Sequence, residues 1–232
     1  MNRHRYFSTE RLAVIGLMAA MVFVATYFLH IDIPTPLGKT MLHFGNVMCV
    51  LSGLLFGGLT GGLAAGIGSA IYDLMDPAFA PEFWITFILK FAMAFIAGTL
   101  AGRGGARHAK PPRLVAAAIV GAVSYTALYI GKTIIVEYFV MRAEWATVWT
   151  VVVTKGSVSL FNAALAAAVS AVLAIALRPA LERAGVYRRL DGERQLRPRR
   201  YLLHRSLTAH PFPYCSHCPR RPLGLWCSFR TV

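Results

Sequence analysis

The chain has 232 residues, of which 56% are hydrophobic and only 15% charged, with 24 Lys and Arg against 10 Asp and Glu. Such an apolar balance excludes an ordinary soluble domain of this length. The net charge of +14 does not call for a nucleic-acid partner, because it is concentrated at one end: 12 of the 24 basic residues lie at or after Arg178, with three acids.

In chain order, residues 1–11 form a basic N-terminus with Arg3, Arg5 and Arg11. An apolar run follows from Leu12 to Leu29. No small-residue cleavage site ends it, so it reads as an uncleaved first span rather than a removed signal. Gly16 and Ala20 form a small-xxx-small pair on this span, with Ala13 and Ala19 close by, a face able to receive another helix.

Ile31 to Lys39 contains Pro34, Pro36 and Gly38, which make a rigid, non-helical external loop. The residues Asp32, Pro34, Pro36, Gly38 and Lys39 suit a lid over a neighbouring pocket; a plain connector is the alternative.

Next comes an apolar, glycine-laced stretch from Leu42 to Pro77, with Gly53, Gly57, Gly58, Gly61, Gly62, Gly66 and Gly68. Each glycine costs a soluble helix roughly 1 kcal/mol against alanine, whereas in a bilayer small residues let helix backbones approach. The stretch is too long for one crossing of about 20 residues. It reads as two helices turning back at Phe56–Gly62.

Hydropathy gives six spans in all: Leu12–Leu29, Leu42–Phe56, Leu59–Met75, Phe83–Ala101, Leu114–Met141 and Trp145–Leu177. The fold class is therefore all-α, a polytopic membrane protein with a six-helix domain at residues 12–177. Arg103, Arg107, Lys110 and Arg113 share one side with the N-terminus and the basic tail. The opposite loops carry only Lys39 and Arg142, with Asp32, Asp76, Glu82 and Glu144 beside them. The bias of Lys and Arg toward cytoplasmic loops puts both termini in the cytoplasm.

Ionisable groups inside spans are costly and tend to mark function. Asp73, Lys90, Lys132, Glu137 and Lys155 are the candidates, with Asn46 and Asn162 as polar companions. Nearly all fall in the external half, which describes an outward pocket above an apolar floor. The substrate-binding set is Asn46, Asp73, Lys90, Tyr129, Lys132 and Lys155. Lysines near helix ends also snorkel to the interface, and Asp73 pairing with Lys90 is the plain structural reading. Trp84, Tyr125, Tyr129 and Trp149 read as an interfacial belt before a ligand-stacking box.

Residues 178–232 change character: arginines alternate with prolines and scattered aromatics, the pattern of a disordered cytoplasmic extension drawn to anionic lipid. Cys215, His217, Cys218, Cys227 and His210 contain one Cys-x-x-Cys and no properly spaced second pair, so no metal is assigned. No phosphate-binding loop, zinc-protease or nucleophile-elbow signature occurs, so the chain reads as neither an ATPase nor an enzyme, and no cofactor is assigned.

Taken together, Gly16-x-x-x-Ala20, Ile33-Pro34-Thr35-Pro36-Leu37-Gly38-Lys39, Leu42-His43-Phe44-Gly45-Asn46, the Leu-Phe-Gly-Gly turn, Gly66-Ile67-Gly68-Ser69-Ala70-x-x-Asp73 and Lys90 resemble the S components of energy-coupling factor (ECF) transporters, the riboflavin-type group above all. The resemblance covers about residues 8–177. It implies a six-helix, vitamin-binding subunit in the bacterial cytoplasmic membrane, with the first external loop as lid. It also implies a transmembrane coupling (T) subunit as partner, driven by two ABC-type ATPase subunits, and toppling of the whole subunit to release substrate. The family's coupling pattern is Ala-x-x-x-Ala; Gly16 stands for its first alanine, and Gly16 and Ala20 take the partner-coupling role. Lysines point to an anionic or carbonyl-rich ligand, whereas riboflavin is uncharged. The rival readings are a self-sufficient ion-coupled carrier and a non-transporting membrane scaffold.

Overall fold

A computed structural model describes residues 8–35, 38–102 and 109–195. Pro36, the basic loop at Arg103 and Arg107, and the cysteine-containing end of the tail lie outside the described residues. Residues 194–232 form a unit separate from 1–193, and of it only Arg194 and Gln195 are described.

Helix α1 runs Thr9–Phe28, opened by the Ser8 hydroxyl accepting the Arg11 N–H at 3.3 Å. This hydroxyl cap satisfies a helix-end donor that has no intrahelical partner. Next come strands β1 (His30–Thr35) and β2 (Gly38–His43), then α2 (Gly45–Phe56) and α3 (Gly58–Met75). A single 3-10 turn at Ala80–Glu82 leads into α4 (Phe83–Ala101). Helix α5 (Pro111–Ile135) ends in a π-turn at Val136–Val140, and α6 (Trp145–Arg183) is followed by α7 (Val186–Gln195).

Four stretches are long and apolar enough to cross a membrane: Thr9–Phe28, Ala80–Ala101, Pro111–Val140 and Trp145–Arg183. Gly45–Phe56 is apolar but shorter; 12 residues rise about 18 Å against a hydrocarbon core of about 30 Å.

Three sequence expectations need correction. Leu42 and His43 belong to β2, not to the second span. The antiparallel pairing of His30 with His43 and Ile31 with Leu42 holds them extended, and Asn162 engages the same strand from α6. The external segment is thus a β-hairpin, the one sheet among the described residues of an otherwise helical fold. The third correction concerns the tail: residues 178–195 are not disordered. Helix α6 continues past Leu177, and Arg178 donates to the Ala109 carbonyl at 2.7 Å. Tyr187 on α7 is buried, which pushes its phenol up to about 12.

The turn between α2 and α3 is a single residue, Gly57, at φ 85°. That is the left-handed region, open to glycine without steric cost. Beyond it the glycines of α3 form two seams. A Cβ on Gly61 would stand 2.5 Å from the Gly53 backbone, so the two arms of the hairpin touch main chain to main chain. On the other side Gly58, Gly62 and Gly66 meet Phe95, Phe91 and Phe87 of α4, each ring within about 3.2 Å of where a Cβ would stand. The three phenyl rings stack in series at 6.2 and 5.6 Å. Spacing of four on both helices explains the match, because i and i+4 positions lie on one helix face. Gly68 meets the Ala19 carbonyl of α1 in the same manner. The core inside this wall contains Val47, Val50, Leu54, Met93, Ala97, Ala118 and Ala166.

Candidate functional site

At the end of the bundle where the hairpin sits, a cavity opens among α1, β2, α3, α4, α5 and α6. It encloses about 720 Å³, including space open to solvent. Its walls take Thr26 from α1; Thr40, Met41 and His43 from β2; Ser69, Tyr72 and Asp73 from α3. The α3–α4 link gives Phe79 and Glu82, α4 gives Ile85, Thr86, Leu89 and Lys90, α5 gives Tyr125, Tyr129 and Lys132, and α6 gives Ser159 and Asn162.

One wall is a ladder along α5. Tyr125 and Tyr129, four residues apart, stack at 5.8 Å with their planes 17° apart. The Lys90 ammonium lies 4.1 Å from the Tyr125 ring centre and the Lys132 ammonium 5.8 Å from that of Tyr129. Lys90 is 3% exposed and donates to the Asn46 side-chain oxygen. Lys90 and Asp73 share the cavity wall with Thr86 between them in the lining, but they do not form an ion pair. Lys132 pairs with Glu82.

The structure thus brings Asp73, Lys90, Tyr129 and Lys132 to one cavity, with Asn46 behind Lys90. Lys155 is placed elsewhere, paired at 2.9 Å with Glu137 of the π-turn in a largely buried α5–α6 contact. Neither Lys132 nor Lys155 snorkels alone. The four outer aromatics divide: Trp84 and Trp149 are exposed, whereas Tyr125, which is buried, and Tyr129 line the cavity.

Sequence reasoning did not put Thr40, Met41, His43, Thr86 or Ser159 in the wall. The β2 residues come there only because the strand folds inward. The one sequence signal was His43 and Asn46 three apart, in a segment otherwise read as a helix.

The hairpin is held at two places. At its base Asn162 accepts the His43 N–H at 3.1 Å and donates to the Met41 carbonyl at 2.9 Å. Near its tip Lys39 bridges Asp32 on the same hairpin at 2.9 Å and Asp76 beyond α3 at 2.8 Å. The Asp76 and Asp32 carboxylates hold the Lys39 ammonium well above its usual range. Burial raises Asp76, but the Lys39 ammonium and the Ala78 N–H outweigh it and keep the carboxyl below its usual value.

On α1, Ile15, Met18, Ala19 and Val22 face the bundle, whereas Gly16 and Ala20 are exposed and nothing lies within 4 Å of a Cβ built on Gly16. Ala19 therefore does not share their face.

Apolar helices long enough to cross a membrane, with a polar cavity at the end where the hairpin lies, describe a membrane-embedded binding protein. The family model for the S component of ECF-type riboflavin transporters matches residues 6–179, and the chain belongs to that family. It is the substrate-binding membrane subunit of an ECF-type importer, a multi-pass protein of the cell membrane. Among curated individual proteins, none matches the chain.

Proposed function

We propose that the cavity captures riboflavin, or a close relative with the same ring system, from outside the cell. The observation that carries this reading is the Lys90–Tyr125–Tyr129–Lys132 ladder. It offers a flat aromatic surface with a donor at each end, matched to a planar heterocycle edged by carbonyls. Formal charges favour a neutral over an anionic ligand. Lys90 and Lys132 face Asp73 and Glu82 in the wall, two against two, while Lys155 is balanced by Glu137 outside it. A cavity of zero formal charge suits an uncharged ligand, and Thr40, Thr86 and Ser159 supply partners for its hydroxyls.

The hairpin acts as the lid, with Asp32, Pro34, Gly38 and Lys39 in the role that the sequence suggests for them; Pro36 lies outside the described residues. Helices α1 to α6 supply six membrane-crossing segments, α2 being completed on the outer side by β2. Arg11, Arg113 and Arg178 gather at the end opposite the cavity, as their contacts with Leu190, Leu100 and Ala109 support. The basic bias then puts that end, and both termini, in the cytoplasm. The exposed Gly16 and Ala20 provide the face for the transmembrane coupling subunit, with two ABC-type ATPase subunits as the motor. The domain division is 1–11, 12–177 and 178–232, amended in that the third part opens with the ordered segment 178–195.

Riboflavin fluorescence during titration of the detergent-purified chain tests the reading. Saturable quenching at one ligand per chain is the expected result; no quenching, with the protein folded by circular dichroism, overturns it. Uptake into liposomes by this chain alone under an ion gradient would instead establish the ion-coupled carrier.

A further inference from the structure

The turn joining α6 to α7 is built around Gly185, at φ 71°, and it gathers three guanidinium groups. Arg183 from the end of α6 and Arg188 and Arg189 from the start of α7 line one concave surface with Ala184 and Gly185, enclosing about 680 Å³ including open solvent. The Arg188 guanidinium lies back over the turn, 3.9 Å from where a Gly185 Cβ would stand. All three arginines are exposed, and among the described residues none pairs with a carboxylate.

This concavity is fixed by its surroundings. The Gly185 N–H donates to Glu182 at 3.1 Å and the Arg189 N–H to Gly185 at 3.1 Å. Tyr187, between the arginines in sequence, is 4% exposed. Its burial turns the opposite face of α7 inward and leaves Arg188 and Arg189 outward. Arg11 on α1 donates to the Leu190 carbonyl at 3.4 Å, and Arg178 ties α6 to Ala109, two residues before α5.

Position along α6 argues for the occupant. The apolar run ends at Leu177, and Arg183 lies six residues on, about 9 Å at the helical rise. The headgroup layer outside the hydrocarbon is about 5–8 Å deep. Long arginine side chains at that level reach back to phosphates, and guanidinium binds phosphate bidentately.

We propose that Arg183, Arg188 and Arg189 form a docking site for the phosphate of an anionic phospholipid in the leaflet opposite the substrate cavity. The site rests on reading α6 as a membrane span, but not on what the cavity binds. It holds the inner end of α6, and with it α7 and the start of α1, at the membrane surface.

The test uses the full chain in detergent with native mass spectrometry. Retention of phosphatidylglycerol is compared with that of phosphatidylcholine for the wild type, for R183Q/R188Q/R189Q, and for R197Q/R199Q/R200Q in the tail. The wild type and the tail variant should retain phosphatidylglycerol at least about tenfold better than phosphatidylcholine. The turn variant should lose that preference while keeping its thermal midpoint without lipid and its riboflavin quenching. Equal retention of the two lipids by the wild type, or loss of preference in the tail variant alone, overturns the proposal. Millimolar inorganic phosphate displacing the lipid completely would make this a free-phosphate site and overturn the lipid assignment. Failure of riboflavin quenching in the wild type would bear on the cavity and leave this site standing.

Discussion

Lys90 is a buried cation with an amide oxygen and an aromatic face for neighbours and no carboxylate in contact. Such a charge is costly to keep unless a ligand uses it. Replacing it with methionine, of similar length, separates the two roles. If Lys90 donates to a ligand carbonyl, Lys90→Met weakens riboflavin binding by roughly 10- to 150-fold, the value of a charge-assisted hydrogen bond. The midpoint of the ligand-free protein should hold or rise. Unchanged affinity in a quenching titration would remove Lys90 from the ligand site. The glycines make a second contrast at this scale. Gly61→Ala drives a methyl into the Gly53 backbone and should cost about 1–3 kcal/mol or more. Gly16→Ala, with open space around it, should be silent in the same thermal melts.

The β-hairpin is the element whose behaviour the tertiary contacts set. Its base is clamped through backbone groups to Asn162, while its tip is held by the ion pair of Lys39 with Asp76. If the hairpin is the proposed lid, opening by a pivot at the base would break the partly exposed pair and spare the buried clamp. Asp76→Asn should therefore speed riboflavin release about two- to fivefold, in keeping with the modest worth of a partly exposed pair, and speed association as well. Stopped-flow fluorescence reads both; unchanged rates would mean that the tip does not gate the cavity. The pH dependence follows from the two shifts. Lys39, raised from 10.5, contributes below that value and is lost only as pH rises through its higher folded value. Asp76, lowered from 3.8, contributes above that value and is lost as pH falls through its lower folded value. The ratio of release rates between Asp76→Asn and the unaltered protein should be flat from about pH 5 to 9, and a step in that ratio would overturn the pair as the latch.

For the whole molecule, the exposed Gly16–Ala20 face and the roofed cavity lie on different surfaces. Gly16→Leu should abolish ATP-driven uptake in vesicles containing the coupling and ATPase subunits, while leaving riboflavin quenching intact. Loss of both would mean that the face serves the fold rather than the partner. The family match over residues 6–179 stops just where α6 leaves its apolar run, so the α6–α7 turn lies outside the region that the family describes.

Apolar runs, glycine spacing and charge placement determined the helices, the hairpin of α2 with α3, and the end of the bundle that carries the polar groups. These are legible because hydrophobic length and four-residue periodicity act locally along the chain. Asp73, Lys90 and Lys132 were readable as site candidates for the same reason: a charge within an apolar run stands out by itself. The β-strand character of Leu42 and His43 was not readable, because it depends on a strand partner and on Asn162, 119 residues from His43. Lys155 shows the same limit. Its sequence context matches that of Lys132, and only packing decides that it meets Glu137 of the π-turn rather than the cavity. Sequence alone settled which residues are polar in an apolar setting, while tertiary structure decided which of them meet, because ion pairs and backbone clamps join positions that local pattern does not relate.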